Sequence, residues 1–537
     1  MNHCPHKNGM THSYQKLAAH GYNPFAASSI LLIFTGESPM IETRLVVQTG
    51  SPIGTISPRL YGHFAEHLGR CCYDGLWVGT QQTTIPTYGG FRKDVVDALK
   101  AMPVPLLRWP GGCYADHYHW RDGIGEPSQR VRRLGLSCGL TVEDDNALGT
   151  HEFIALCRLL GAEPYLAGNM GSGSPQELCD WVEYCNASLN TTLAAERAAN
   201  GSKQPFGVTL WGVGNENWGC GGSYDAESYA REYRRYATML RHVDTTIQMV
   251  ACGHDDAWNQ QFLQTNQRYL GMVDHFSIHR YWIEGGPERD FTETQYYTLL
   301  AEAHATEDFV QRTAGYIRDS LGNSTHRVGI ALDEWGVWHP EGRPWGPNND
   351  LHREPITYEQ AGTLRDALAA AIALEGFHHQ CNVLTLANLA QIVNVLHAPV
   401  MTDGAAMWVT PTYYALQLHT PHLGASALPV EVTDSVSLPG GEKPISAVTG
   451  TASASHNGLV VTLINRHYDQ PASITLHVPG SRQVVSANLL TGDSPRAINS
   501  AHHPDSVKLT PFNVGADGSE LWRVELPPHS MATIQFA

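Results

Sequence analysis

The sequence predicts a (β/α)8 TIM barrel followed by a C-terminal antiparallel β-sandwich of jelly-roll type. Three observations carry that prediction. Between about residues 59 and 405, short apolar strands alternate with helical runs, giving about eight strands in all. Several of those strands end in a carboxylate or an amide. After about residue 411 helical spacing stops, and short alternating runs separated by turn residues take over. A chain of 537 residues has room for both parts.

The expected organisation is a leader over 1–39, N-terminal strands over 40–58 that join the sandwich, the barrel over 59–405 and the sandwich over 406–537. The leader holds a short apolar run, Ile30 to Phe34, too short to span a bilayer and with no basic cluster immediately before it. Strand-like sequence begins just after Met40. The first barrel strand ends at Phe64-Ala65-Glu66. A helix is predicted over 92–100, then a strand, Leu106-Leu107-Arg108-Trp109, closed by the tight turn Pro110-Gly111-Gly112. Helices over 151–160 and 175–184 flank the strand 164–169. Residues 186–205 read as a polar insertion.

The next strand is Leu210-Trp211-Gly212-Val213, running into Gly214-Asn215-Glu216-Asn217-Trp218. Asp225 is placed to cap a helix to about 243, with Tyr229, Tyr233, Tyr236 and Leu240 at helical spacing. Strands over 247–252 and 273–282 follow, then a helix over 303–321. The strand Val328 to Leu332 leads to Asp333-Glu334-Trp335. A long Ala-rich helix over 358–377 precedes Val383 to Asn388 and Gln391. The sandwich strands are expected over 459–464, 473–478, 484–490, 506–509, 521–526 and 531–536.

Glu216 and Glu334 are the strongest candidates for chemistry. Each ends an apolar strand beside a Trp, and they lie about three β/α units apart, so a barrel would set them on different strands facing one mouth. Two such carboxylates flanking a bond are the equipment of a glycosidase. Trp211 and Trp218 read as sugar-stacking walls and Asn215 as a hydroxyl-binding amide. The alternative for either Glu is a salt-bridged acid in a core strand.

Composition narrows the partners. The net charge of −17 argues against nucleic acid and anionic membrane. The 11 Cys include the adjacent pair Cys71-Cys72 and no C-x2-C spacing, which reads as mostly reduced thiols and a cytoplasmic protein. Among the 28 His, His117 and His119 form an H-x-H pair, but no matching ligand set follows them. The expectation is therefore no metal and no cofactor. Asn186, Asn190 and Asn200 open formal glycosylation triplets, read as chance occurrences.

Five motifs in order resemble glycoside hydrolase family 51, the α-L-arabinofuranosidases. They are Gly62-His63-Phe64-Ala65-Glu66-His67-Leu68-Gly69-Arg70, Leu107-Arg108-Trp109-Pro110-Gly111-Gly112, Trp211-Gly212-Val213-Gly214-Asn215-Glu216, Leu332-Asp333-Glu334-Trp335 and Ala387-Asn388-Leu389-Ala390-Gln391. The resemblance spans about residues 41–537. It implies a retaining, exo-acting enzyme that releases terminal α-L-arabinofuranosyl groups from arabinan, arabinoxylan or arabino-oligosaccharides. Glu216 would be the acid/base and Glu334 the nucleophile. Asn215 would hold the sugar 2-hydroxyl, and Glu66 and Gln391 the furanose ring. Tyr281 and Arg108 would attend Glu334, and His279 would neighbour Glu216. Cys113 would stand at a sugar-contacting position that is Asn in some relatives. A homo-oligomer, with hexamers frequent among relatives, is implied too. The rival readings are another retaining glycosidase of the same clan (a β-xylosidase or endoglucanase), a metal-dependent barrel hydrolase, and a non-catalytic sugar-binding protein.

Overall fold

The computed structural model describes residues 40–441, 444–481 and 483–537. The expected leader over 1–39 lies outside them. Eight parallel strands close into a barrel: β1 (Gly62–Phe64), β2 (Leu106–Trp109), β3 (Glu163–Gly168), β4 (Leu210–Val213), β5 (Gln248–Ala251), β6 (His275–Trp282), β7 (Gly329–Val337) and β8 (Leu384–Ala390). β8 pairs with β1 to complete the ring, through Asn388 opposite Gly62 and Ala390 opposite Phe64.

The barrel interior is filled in layers. Leu106, Tyr165, Leu210, Val250, Ala331 and Leu386, from six strands, form one apolar layer of their own. Strand residues alternate faces, so the next inward positions toward the C-terminal ends are Arg108, Gly212, Asp333 and Asn388. The apolar plug thus gives way to a polar floor one step below the mouth. Tyr165 bridges the two layers by donating from its hydroxyl to Asp333 Oδ2 at 2.8 Å.

The helix after β4 forms where the apolar spacing predicts it. In Ala226–Val243, Asp225 accepts from the Ser228 amide at the N-terminus, and Tyr229, Tyr233, Tyr236 and Leu240 are all buried. Tyr229 also fixes strand ends: its hydroxyl donates to the Val213 carbonyl and accepts from the Cys252 amide, both at 2.7 Å. β4 and β5 are pinned just below the loops they present.

Several elements depart from expectation. The stretch 186–205 contains a helix, Thr192–Ala199, capped by Thr191. Its buried Arg197 donates to the carbonyls of Tyr184 and Ala187, tying it to the helix Pro175–Asn186. Helical structure also continues past residue 411, because Pro411–His419 is a helix packed on Leu364–His379. It is buried almost all round, so no amphipathic pattern announces it.

The sandwich has two sheets. One runs in the order Val430–Thr433, Ile41–Val47, Ala472–His477, Leu521–Leu526, Gly515–Ala516. The other runs Gly54–Thr55, Ser426–Leu428, Val448–Ser455, Gly458–Asn465, Ser530–Phe536, Val484–Leu490, Thr510–Pro511. The strand Ile41–Val47 pairs parallel with Ala472–His477 and antiparallel with Val430–Thr433. The strand expected over 506–509 is replaced by the two-residue Thr510–Pro511. Among the described residues no helix is long and apolar enough to cross a membrane.

Candidate active site

The polar side chains predicted from the strand ends converge at the barrel mouth. Glu334 stands near the end of β7 by an irregularity. Opposite β6, Ile278 pairs with Leu332 but His279 pairs with Glu334, so Asp333 is an extra residue on β7. Consecutive strand residues normally face opposite ways. The bulge lets both Asp333 and Glu334 reach the barrel interior: Asp333 binds Tyr165, while Glu334 accepts from Arg108 Nη1 and from the Tyr281 hydroxyl, each at 2.8 Å.

Arg108 is buried, stacked over Phe64, with its guanidinium bridging two partners. Besides Glu334 it donates from Nη2 to Asn215 Oδ1 at 2.6 Å. Burial alone would raise the Glu334 carboxyl. His279, Arg108 and the Tyr281 hydroxyl outweigh it, and the group is held below its ordinary range. Burial likewise would lower His279, but the Glu334 and Glu216 carboxylates beside it raise it overall.

Glu216 is presented by the loop after β4 with φ of 41°, in the left-handed region a non-glycine residue rarely adopts. Its carbonyl accepts from the Gly219 amide at 2.7 Å, closing a tight turn. Its carboxylate Oε1 lies 2.9 Å from His279 Nδ1, and the same nitrogen is 3.6 Å from Glu334 Oε2. One oxygen of each carboxylate and a His279 nitrogen lie within 4.8 Å of one another. That spacing suits direct attack on a sugar carbon by one carboxylate, the retaining geometry, better than a water placed between them.

Glu66 and Gln391 form the opposite wall. Gln391 Nε2 donates to Glu66 Oε2 at 2.8 Å, and Glu66 Oε1 accepts from Ser137 Oγ at 2.8 Å and from the Tyr114 amide at 3.2 Å. Burial, with the charge of Glu334, pushes the Glu66 carboxyl up to about 7 against those donors. The Pro110-Gly111-Gly112 turn now has a reason: a Cβ on Gly112 would stand 2.6 Å and 2.8 Å from the two Glu66 oxygens.

Several expected roles change. Trp211 is not a sugar platform. It is fully buried, donates to the Val208 carbonyl and packs on Trp181. Trp335 is core as well, packed against Phe377 and Trp282. Trp218 is half-buried and stacks on His254 with centroids 3.9 Å apart. Cys113 is not a free thiol but is bonded to Cys220. The other eight described cysteines are unpaired, so the reduced reading fails only for this pair. His119 faces Glu177 at 2.8 Å, and neither it nor His117 belongs to a three-ligand group among the described residues.

Sequence reasoning missed Ser137 and the Tyr114 amide. They reach Glu66 from the hairpin Arg133–Ser137/Leu140–Asp144 and the turn Cys113–Asp116, neither of which carries a motif. Trp338, whose ring is 5.0 Å from that of Tyr281, was also missed.

Comparison with known proteins points to one family. Residues 98–296 match the "Alpha-L-arabinofuranosidase 1 domain" family and residues 333–530 the "Alpha-L-arabinofuranosidase C-terminal domain" family. The chain is 37% identical to an intracellular exo-α-L-arabinofuranosidase of Bacteroides ovatus, over 89% of this chain and 93% of that one. The family 51 arabinofuranosidase structure from Xanthomonas axonopodis pv. citri superposes with a TM-score of 0.85 at 33% identity, covering 92% of this chain and all (100%) of that one. An α-L-arabinofuranosidase from Thermotoga maritima, solved as an arabinose complex, gives a TM-score of 0.80 at 31% identity, covering 92% and 99%.

Proposed function

Since the chain belongs to the glycoside hydrolase family 51 α-L-arabinofuranosidases, we propose that it releases terminal α-L-arabinofuranosyl groups by double displacement. Glu334 is the nucleophile and Glu216 the acid/base. The observation that carries this is the pairing of the two carboxylates, with oxygens within 4.8 Å and different surroundings. Arg108 and Tyr281 keep Glu334 charged, whereas among the described residues Glu216 has His279 as its one hydrogen-bonding side chain.

In the first step Glu334 attacks the anomeric carbon while Glu216 gives its proton to the leaving oxygen. The arabinosyl ester removes the charge from Glu334. Glu216, now a carboxylate, takes a proton from the incoming water, and water releases the sugar with its configuration retained. Asn215, oriented by Arg108, turns its Nδ2 toward Cys220 Sγ at 3.8 Å, a weak contact that a sugar 2-hydroxyl can replace. Glu66 and Gln391 hold the rest of the furanose. The Cys113–Cys220 sulfurs border the same subsite beside Asn215. We assign the reaction to the cytoplasm, acting on arabinose-containing oligosaccharides, and to a homo-oligomer.

The test is hydrolysis of 4-nitrophenyl α-L-arabinofuranoside beside the β-D-xyloside and β-D-glucoside, with chelator present. Strong preference for the arabinofuranoside, unaffected by chelator, is expected. Preference for a pyranoside would transfer the chain's activity to another retaining glycosidase, and chelator sensitivity would reopen metal chemistry.

A further inference from the structure

One turn meets the acid/base loop at two adjacent residues, through a covalent bond and a close approach. The turn Cys113–Asp116 follows β2 and the Pro-Gly-Gly segment. At its start, Cys113 is bonded to Cys220, which lies in the loop after β4, with Cα atoms 5.4 Å apart. At its end, the buried Asp116 accepts at Oδ1 from the amides of Met170 and Gly171, at 3.1 Å and 2.8 Å, in the loop after β3. Its other oxygen, Oδ2, is buried without a hydrogen-bond partner and is aimed at the loop after β4. A Cβ on Gly221 would lie 2.7 Å from it. The bond to Cys220 and the close approach of Asp116, which leaves no room for a side chain at Gly221, therefore fall on adjacent residues.

The loop they hold carries the chemistry. Asn215 Nδ2 lies 3.8 Å from Cys220 Sγ, Asn217 donates to the Gly221 carbonyl at 2.8 Å, and the Gly221 amide points at the Glu216 carbonyl at 3.4 Å. Glu216 itself sits in a left-handed conformation that its own side chain does not favour, so surrounding structure must hold it there. Burial pushes the Asp116 carboxyl up to about 7 against its two backbone donors, so near neutral pH it is only partly ionised beside Glu216.

We propose that the Cys113–Cys220 bond and Asp116 act together as a clamp that positions Glu216 for proton transfer to the leaving group. The clamp rests on the assignment of Glu216 as acid/base. Its members are positioning residues: they touch the loop, and the loop's carboxyl touches the leaving oxygen. Cys220 is exposed, so a thiol can reach the bond. A dithiol such as dithiothreitol opens it by exchange: one thiolate sulfur bonds a cysteine sulfur as the S–S bond breaks, and the second displaces it. The enzyme gains two thiols and the reagent becomes a cyclic disulfide.

Leaving-group dependence separates positioning from general damage. A displaced acid matters most where the leaving oxygen needs a proton, so poor leaving groups suffer and activated aryl groups do not. The experiment measures kcat/KM on methyl α-L-arabinofuranoside and on 2,4-dinitrophenyl α-L-arabinofuranoside. The proteins are the oxidised enzyme, the dithiothreitol-reduced enzyme, Cys220→Ser, Asp116→Asn and, as reference, Glu216→Ala. General acid catalysis contributes about 10²–10⁴-fold, and partial misplacement forfeits part of that. Reduction and Cys220→Ser are expected to lower kcat/KM on the methyl glycoside about 10- to 100-fold and on the dinitrophenyl glycoside less than about 3-fold. Azide should restore kcat on the aryl substrate, and reoxidation should restore the reduced enzyme. Asp116→Asn, which keeps the acceptor for Met170 and Gly171, should lose less than Cys220→Ser.

Equal losses on both substrates, or no loss on either, would overturn the clamp. Reduction is applied to folded protein, so the test stands even if a variant does not fold. If Glu216→Ala itself showed no leaving-group dependence, the acid/base assignment beneath the clamp would fall first.

Discussion

Glu66 should make the free enzyme less stable as pH rises, and removing its charge should reverse that. The side chain is 2% exposed, and burial, reinforced by Glu334, sets its carboxyl at about 7 against 4.5 for an ordinary Glu. The folded state therefore holds the proton more tightly than the unfolded chain. The penalty is absent below about pH 4.5, grows as pH rises toward 7, and is complete above it. At about 1.4 kcal/mol per pH unit the gap corresponds to about 3 kcal/mol. Glu66→Gln removes the titration yet keeps an oxygen for Ser137 and the Tyr114 amide. Gln391 can turn its amide so that Oε1, buried without a partner, accepts from the new Gln. Its Nε2 then loses its acceptor, at a cost of about 1 kcal/mol. Urea unfolding of both proteins at pH 4.5 and pH 8 checks this. The variant should be equal or slightly weaker at pH 4.5 and about 2 kcal/mol more stable at pH 8. A difference that does not change with pH would refute the reasoning. Activity should move the other way, since the furanose loses a charged hydrogen-bond partner.

Other expectations follow from the same geometry. Glu334→Gln should fold normally, judged by its thermal midpoint, yet lose turnover; kcat within about tenfold of the parent would remove its assignment as nucleophile. Tyr281→Phe deletes one hydrogen bond to a carboxylate, worth about 1.5–3 kcal/mol, and should lower kcat/KM about 10- to 150-fold at unchanged fold. Arg108→Met leaves the buried Glu334 without its cation and should cost about 3–5 kcal/mol of stability as well as activity; the urea midpoint reads the first and aryl glycoside hydrolysis the second. Asp225→Ala removes the cap of Ala226–Val243 and should cost about 1 kcal/mol with kcat nearly unchanged.

The barrel was legible because its strands are short apolar runs that give way to polar residues, and Glu66, Arg108, Asn215, Glu216 and Glu334 all sit at or beside those changes. What escaped depends on contacts between distant segments. Nothing in Leu332-Asp333-Glu334-Trp335 marks the extra residue that turns two neighbouring carboxylates inward; the bulge exists only against β6. A Trp next to a carboxylate reads the same whether it faces sugar or core, and strand alternation sent Trp211 and Trp335 outward into the helix layer. The Cys113–Cys220 bond joins residues 107 apart, and no spacing rule predicts it. Pro411–His419 hid because a helix buried on nearly all sides has no broad polar face to set its period. Ser137 was invisible for a different reason: it arrives on a short hairpin over the mouth, and its function is one hydrogen bond to Glu66.

The central claim is that Glu334 forms a covalent bond to the sugar while Glu216 manages the proton. The most direct measurement incubates Glu216→Ala enzyme with 2,4-dinitrophenyl α-L-arabinofuranoside, which needs no acid to react, then quenches, digests and maps the peptides by mass spectrometry. Without its base the enzyme should stall after the first step. The account predicts the added mass of one anhydropentosyl group on the peptide carrying Glu334, with fragmentation assigning it to that residue. An adduct on Asp333 or Glu66, or rapid release of dinitrophenol with no adduct at any carboxylate, would contradict it.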